Sequence, residues 1–215
     1  MALYVQYGCG LSAPMEWRNF DASPRLRFER MPVFGALADL AGKRLFPRNV
    51  AYGDIVAGLP IAAGCADAVY CSHVLEHLSR SDVPKALANT IQLLRSGGVF
   101  RMIVPDLGWR ARRYVEARTN GEVDAADRFF ESLNTHDTVR PRGTMSLLRA
   151  ALGNSGHRWM YDEPMMRQLL GEAGFVNIRR CGIGDSGDAM LAKVEERGRF
   201  YDSGEPELAL GAIKP

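Results

Sequence analysis

The chain has 215 residues, of which 47% are hydrophobic and 24% charged, proportions that are ordinary for one folded globular domain. The net charge of +2 gives no reason to expect nucleic acid or another polyanion as a partner. No apolar run approaches the ~20 residues of a membrane helix, and we expect no signal peptide. The four cysteines form no CxxC pair and no zinc spacing, so we expect a reducing, cytoplasmic setting.

Short apolar runs and turn residues alternate along the first third of the chain. The runs predict four buried strands, at residues 3–7, 17–20, 49–55 and 67–72. Apolar residues at helical spacing predict a helix over residues 33–46, between the second and third strands. This order of elements is typical of α/β proteins.

The same alternation continues toward the C-terminus. Ser81 is predicted to cap a helix that Gly97 ends, and a fifth strand follows at residues 99–104. Asp162 is predicted to cap another helix, and strands are predicted at residues 175–181 and 208–213. Strands that alternate with helices in this way predict a mostly parallel sheet with helices on both faces.

Residues 108–160 interrupt this alternation with a long, arginine-rich segment that contains no predicted strand. Helices are predicted within it at 110–118 and 125–133, and a loop at 140–143. Insertions of this length in a compact domain are more often functional than structural filler. We therefore predict a helical lid that covers the functional site and binds a ligand, with arginines that either hold an anionic ligand or form a solvated face.

Polar and glycine residues follow the predicted strands at the edge where open α/β sheets bind ligands. Gly8, Cys9 and Gly10 follow the first strand and Asp21 ends the second. The other residues of this group follow the third and fourth strands: Asp54, Ile55, Ser72, His73, Glu76 and His77.

These motifs resemble, in order and spacing, the class I S-adenosylmethionine (SAM) dependent methyltransferases, and are most similar to a small branch often encoded among glycan-biosynthesis functions. The resemblance rests on Tyr7-Gly-Cys-Gly10, Asn19-Phe-Asp21, Gly53-Asp-Ile55, Ser72-His-Val-Leu-Glu-His-Leu78 and Gly156-His-Arg-Trp-Met-Tyr-Asp162. It implies a Rossmann-like, seven-stranded, mostly parallel sheet in one domain, residues 1–215. It also implies SAM as cofactor and methyl transfer to a small-molecule or glycan-type acceptor.

The resemblance implies a role for each residue of the site. Gly8 and Gly10 allow the backbone to approach the methionine part of SAM, Asp21 accepts hydrogen bonds from the ribose, and Asp54 and Ile55 face the adenine. Cys9, Ser72 and His73 complete the expected cofactor-binding set. If the acceptor is a hydroxyl it needs a base, for which His73, His157 and Asp106 are the candidates. No metal is expected.

Two departures from the family pattern leave an alternative function open. Ser12 stands where the family has a third glycine, and only Leu11 to Glu16 separate the glycine turn from the second strand. A parallel crossover normally needs a dozen or more residues, so we expect the first crossover helix to be reduced to a turn. The alternative is a SAM-fold interaction subunit that binds cofactor weakly.

Two further motif matches indicate other chemistries. Gly8-Cys-Gly-Leu-Ser-Ala13 fits the nicotinamide-dinucleotide fingerprint, although Asp21 comes too early for it and Pro14 disfavours the helix that it needs. His73-Val-Leu-Glu-His77 fits an inverted zinc-protease motif, which would make the chain a zinc hydrolase. That reading needs both histidines on one face of a long helix.

Overall fold

A computed structural model describes residues 2–32, 35, 39, 40, 42, 45–135 and 156–215. Most of the helix predicted over residues 33–46, and the lid residues 136–155 with the predicted loop at 140–143, lie outside the described residues. His136, a second histidine of the predicted lid, also lies there. Within the described residues no helix has the length and apolar character needed to cross a bilayer.

Seven strands form the central sheet, in the spatial order β3-β2-β1-β4-β5-β9-β6. Strands β1 to β5 run parallel to one another, while β9 is antiparallel to both of its neighbours. The bounds are β1 Tyr4–Tyr7, β2 Trp17–Asp21, β3 Val50–Tyr52, β4 Ala66–Ser72, β5 Leu94–Val104, β6 Val176–Arg180 and β9 Leu208–Ile213. A small hairpin of β7 Tyr201–Asp202 and β8 Glu205–Pro206 precedes β9.

Helices cover both faces of this sheet. Among the described residues they are α1 Pro24–Arg30, α2 Val83–Leu93, α3 Leu107–Thr119, α4 Ala125–Leu133, α5 Glu163–Glu172 and α6 Arg197–Phe200. Short 3₁₀ turns occur at Leu75–His77 and Leu191–Lys193. The predicted Rossmann-like α/β fold, with a seven-stranded and mostly parallel sheet, is confirmed.

Alternation of side chains along the strands divides the core into two main layers. Val69 and Cys71 of β4 pack with α2 and α5 on one face. Tyr70, between them, packs on the other face with Trp17 and Phe200. The sheet is thus buried on both sides, as parallel sheets usually are.

The first crossover is as short as the sequence predicts, because no helix lies between β1 and β2. Residues 188–200 cover the sheet face beside this turn, a role that the sequence did not reveal. Leu191 and Val194 pack there against Trp17, whose Nε1 donates to the Met190 carbonyl at 3.1 Å. Ser12 Oγ contacts Glu196 Oε1 at 2.5 Å. A later segment of chain therefore replaces the missing crossover helix.

Two predicted boundaries around α2 were wrong. The residue that precedes α2 is Asp82 rather than Ser81. Gly97 lies inside β5 and does not end the helix, because the chain is already extended from Leu94, which pairs with Ala66 of β4. Asp162 does cap α5, accepting from the Met165 amide at 3.0 Å.

The described lid helices α3 and α4 are joined to the sheet by a buried ion pair. The two terminal nitrogens of the Arg110 guanidinium each donate to one carboxylate oxygen of Glu207 at 3.0 Å, and both side chains are almost fully buried. Arg110 Nε also donates to the Ser132 carbonyl at the end of α4. Arg110 is therefore committed to structure and does not hold an anionic acceptor.

Candidate functional site

A cavity of about 550 Å³ opens at the carboxyl ends of β1 to β4, where open α/β sheets bind ligands. Its volume lies within the 300–1,000 Å³ that is typical of small-molecule sites. Six of the eight residues predicted to bind cofactor line it: Gly8, Gly10, Asp21, Asp54, Ile55 and His73. Tyr7, Ser23, Val74, His77 and Leu78 also contribute to the wall.

The glycine turn after β1 needs glycine for two different reasons. Gly8 and Gly10 have φ of +66° and +57°, in the left-handed region that side chains disfavour. A Cβ on Gly8 would also lie 2.0 Å from Val74 Cγ2, whereas one on Gly10 would meet no atom within 4 Å. Gly8 therefore permits close packing of the turn on Val74, and Gly10 leaves space open beside the cavity.

The carboxylate of Asp21 fixes the shape of this turn. Its Oδ2 accepts from the Gly10 amide at 3.0 Å, and its Oδ1 accepts from the Ser23 amide at 2.7 Å. Each carboxylate oxygen can accept a second hydrogen bond. Asp21 is thus held rigidly at the cavity wall while it retains acceptor capacity for a ligand with hydroxyl groups.

Asp54 and Ile55 follow β3, next to Asp21 at the end of the neighbouring strand β2. Asp54 Oδ1 accepts from the Val56 amide at 2.9 Å, which orders the turn. Ile55 is buried, and the Asn89 side chain of α2 donates to its carbonyl at 2.7 Å. One wall therefore offers a carboxylate next to an apolar surface, an arrangement that suits a base with an exocyclic amine.

Cys9 and Ser72 do not line the cavity. The Cys9 side chain is buried in a small cluster with Leu26, Phe46 and Val50, and its burial raises the pKa of the thiol to about 12. Ser72 is buried at the end of β4. Both side chains therefore lie in the core rather than at the cavity wall.

His73 borders the cavity in a strained conformation, with φ of +53°. Both ring nitrogens have partners: Nδ1 lies 3.2 Å from Glu76 Oε1, and Nε2 lies 3.0 Å from the Arg199 carbonyl. Burial disfavours the charged imidazolium, but contact with the Glu76 carboxylate outweighs it and raises the pKa of His73.

His77 and His157 come together near Glu76. Their ring centroids are 5.2 Å apart, and one ligand atom from each of the three residues lies within 4.8 Å of the others. The Nδ1 atoms of His77 and His157 contact the carbonyls of Gly156 and Leu133, at 3.3 and 2.8 Å. Burial lowers the pKa of His157, which keeps this imidazole neutral near pH 7.

Two expectations for this region have a different outcome in the structure. Asp106, a predicted base, caps α3 by accepting from the Trp109 amide at 2.9 Å and pairs with Arg180 at 3.0 Å, and it does not line the cavity. The zinc-protease arrangement also fails, because residues 75–77 form only a 3₁₀ turn and His73 precedes it. Glu76, to which the methyltransferase prediction gave no role, is the buried centre of the cluster.

Comparison with known proteins supports the assignment that the fold suggests. A family model described as "Methyltransferase domain" matches residues 18–180. A solved SAM-dependent methyltransferase of Thermotoga maritima, described as a possible histamine N-methyltransferase, has a TM-score of 0.52 and 14% identity, covering 100% of this chain and 83% of that one. Comparison with curated protein sequences finds no match.

Two other solved structures have the same fold. A SAM-dependent methyltransferase of Archaeoglobus fulgidus has a TM-score of 0.50 and 12% identity, covering 99% of this chain and 86% of that one. A protein of Rhodobacter sphaeroides described as a putative zinc-dependent alcohol dehydrogenase has a TM-score of 0.50 and 14% identity, with coverage of 100% and 84%. At such low identity these similarities show the fold alone, and the family match carries the assignment. The chain belongs to the methyltransferase-domain family, and the prediction of an enzyme that uses SAM is confirmed.

Proposed function

We propose that SAM binds in the cavity at the ends of β1 to β4 and that its methyl group passes to a small-molecule or glycan-type acceptor. The observation that carries this proposal is the convergence of Gly10, Asp21 and Asp54 on one cavity of about 550 Å³. In this arrangement Asp21 receives the ribose hydroxyls, Asp54 and Ile55 receive the adenine, and the turn at Gly8 and Gly10 receives the methionine part.

The cavity residues fit such a cofactor chemically. When bound, SAM supplies a methyl group on a positively charged sulfonium, which reacts by in-line displacement. The protein contributes chiefly alignment of the reacting groups. The rigid Asp21 turn holds one end of the ligand, and the apolar side chains of Val74 and Leu78 exclude water from the wall.

For an acceptor that must lose a proton, His157 is the base that we propose. The lowered pKa of His157 leaves it neutral and able to accept a proton at neutral pH. His73 is less suited, because both of its ring nitrogens are engaged. The acceptor would then approach from the side of the cavity lined by His77, which packs against His157.

We further propose that residues 108–160 cover this side of the cavity within a single domain. The described residues at the end of this segment support the idea, because the amides of Arg158 and Trp159 donate to the Glu76 carbonyl at 2.7 and 3.2 Å. Trp159 is 41% exposed, and the Arg80 guanidinium lies 5.1 Å from its ring. An exposed aromatic next to a cationic group suits the recognition of a polar acceptor such as a sugar.

Calorimetric titration with S-adenosylhomocysteine tests the cofactor site. Loss of a hydrogen bond to a charged group costs about 1.5–3 kcal/mol, so we expect Asp21→Ala to weaken binding roughly tenfold or more. Asp67→Ala is the matched control, since Asp67 also accepts a backbone amide, from Leu3 at 2.7 Å, but lies at the opposite end of β4.

The two variants give a clear decision. Asp67→Ala should lose stability and bind S-adenosylhomocysteine as the wild type does. Equal affinity in the wild type and Asp21→Ala would remove Asp21 from the site. No binding by the wild type would favour the alternative of an interaction subunit that binds cofactor weakly. A screen of sugar, glycan and small-metabolite acceptors with labelled SAM then identifies the acceptor class.

A further inference from the structure

The side chains of Glu76, His77 and His157 form a cluster of residue types that bind metals. A metal ion held by them would take up the lone pair of His157, so metal binding here is an alternative to His157 as the base. Glu76 is 0% exposed. Its Oε1 contacts His73, and its Oε2 has no hydrogen-bond donor among the described residues. A buried carboxylate without full compensation is costly, so this position calls for a further positive partner.

The two histidines are oriented as metal ligands usually are. A metal-binding histidine commonly donates its second ring N–H to a carbonyl or a carboxylate, which fixes the ring and leaves the other nitrogen free to coordinate. His77 and His157 each place Nδ1 against a backbone carbonyl, of Gly156 and Leu133 respectively. With the proton on Nδ1, each Nε2 carries the free lone pair.

We propose that Glu76, His77 and His157 bind one divalent transition-metal ion. Two histidines and one carboxylate are the protein ligands of several catalytic zinc and iron sites, which keep further positions open. Ligand atoms on one zinc ion lie roughly 3–4 Å apart, and one ring nitrogen of each histidine and one Glu76 oxygen are already within 4.8 Å of one another. Small side-chain movements would complete the site. His73 is then a positioning residue that holds the Glu76 carboxylate in place.

This site differs from the zinc-protease motif in the sequence and departs from the expectation that no metal is bound. The motif pairs His73 with His77, whereas the structure replaces His73 by His157, 80 residues from His77 in the sequence. His77 also lines the cavity. An open coordination position would therefore be accessible to an oxygen of the acceptor, a role that rests on the proposed function.

Zinc binding to the purified chain tests the site without reference to activity. After chelator treatment and dialysis, we expect calorimetry to detect the binding of one Zn²⁺ per chain. Co²⁺ added in place of Zn²⁺ should give the visible absorption bands that are typical of four- or five-coordinate cobalt. We expect the double variant His77→Gln/His157→Gln to bind Zn²⁺ at least about 100-fold more weakly. Cys65→Ser is the control, because the exposed thiol of Cys65 could bind zinc adventitiously and the proposal does not use it.

Saturable binding that survives Cys65→Ser and is lost in the double variant supports the site. No stoichiometric binding by the wild type, or equal affinity in the double variant, overturns it. Circular dichroism and cooperative thermal unfolding check that the variants fold, and Glu76→Gln provides a second test, since it should also abolish the Zn²⁺-induced rise in melting temperature. S-adenosylhomocysteine binding by the metal-free chain tests the proposed function separately, so either idea can fail alone.

Discussion

Replacing Gly8 by alanine tests the close packing at the base of the cavity. The left-handed φ of +66° costs an alanine about 1–2 kcal/mol. The new Cβ would also lie 2.0 Å from Val74 Cγ2, and such overpacking typically costs about 1–3 kcal/mol. Together these give a loss of roughly 2–5 kcal/mol. For a chain of this size that corresponds to a fall in melting temperature of roughly 4–20 °C.

Gly10→Ala separates the two causes. It has a similar φ of +57°, but its Cβ would meet no atom within 4 Å, so we expect a loss of only about 1–2 kcal/mol. Urea unfolding measures both variants. Adding Val74→Ala to Gly8→Ala should recover stability relative to the sum of the single changes, because it removes the clashing methyl group. Equal losses for Gly8→Ala and Gly10→Ala, with no such coupling, would refute the reasoning.

Four further outcomes follow from particular contacts. Arg110→Met should cost about 3–5 kcal/mol in urea unfolding, because it leaves the buried Glu207 carboxylate unpaired, and Arg110→Met/Glu207→Leu should recover most of that loss. Asp162→Ala should lower the free energy of unfolding by about 1 kcal/mol, because α5 loses its cap. A change within about 0.5 kcal/mol, as for an ordinary surface substitution, would contradict the cap. The pKa of His73 is raised, so its stabilising contribution is present below the ordinary pKa of 6.5 and is lost as pH rises through the pKa of the folded state. Unfolding measured over a pH series should therefore show the stability advantage of the wild type over His73→Gln shrinking as pH rises. The pKa of His157 is lowered, so its contribution to stability is present above pH 6.5 and is lost as pH falls. His157→Gln should therefore lose less stability than the wild type on acidification. For either histidine, a pH dependence of the opposite sign would contradict the direction of its pKa shift.

The sequence predicted the sheet well because its strands are continuous apolar runs bounded by glycine, proline or acidic residues. Buried parallel strands have that pattern. The role of the segment around residues 188–200 was not predicted, because its apolar residues, such as Leu191 and Val194, contact strands that are distant along the chain. This segment covers the place that the first crossover helix would occupy, and only the three-dimensional structure shows that the two are neighbours.

The candidate site was predictable where a residue's position follows from a strand end, as for Gly10, Asp21 and Asp54. It was not predictable where long-range contacts decide the position. The ring of His157 is oriented by the carbonyl of Leu133, 24 residues earlier, and Asp106 is taken up by Arg180, 74 residues later. Ion pairs and hydrogen bonds of this kind leave no local pattern in the sequence.

A crystal structure of the chain with S-adenosylhomocysteine tests the central claim most directly. The account predicts ligand density in the cavity between the glycine turn and β3, with both ribose hydroxyls donating to the carboxylate of Asp21 and the adenine beside Asp54 and Ile55. Density at another place, or a ligand in this cavity whose ribose does not contact Asp21, would contradict it.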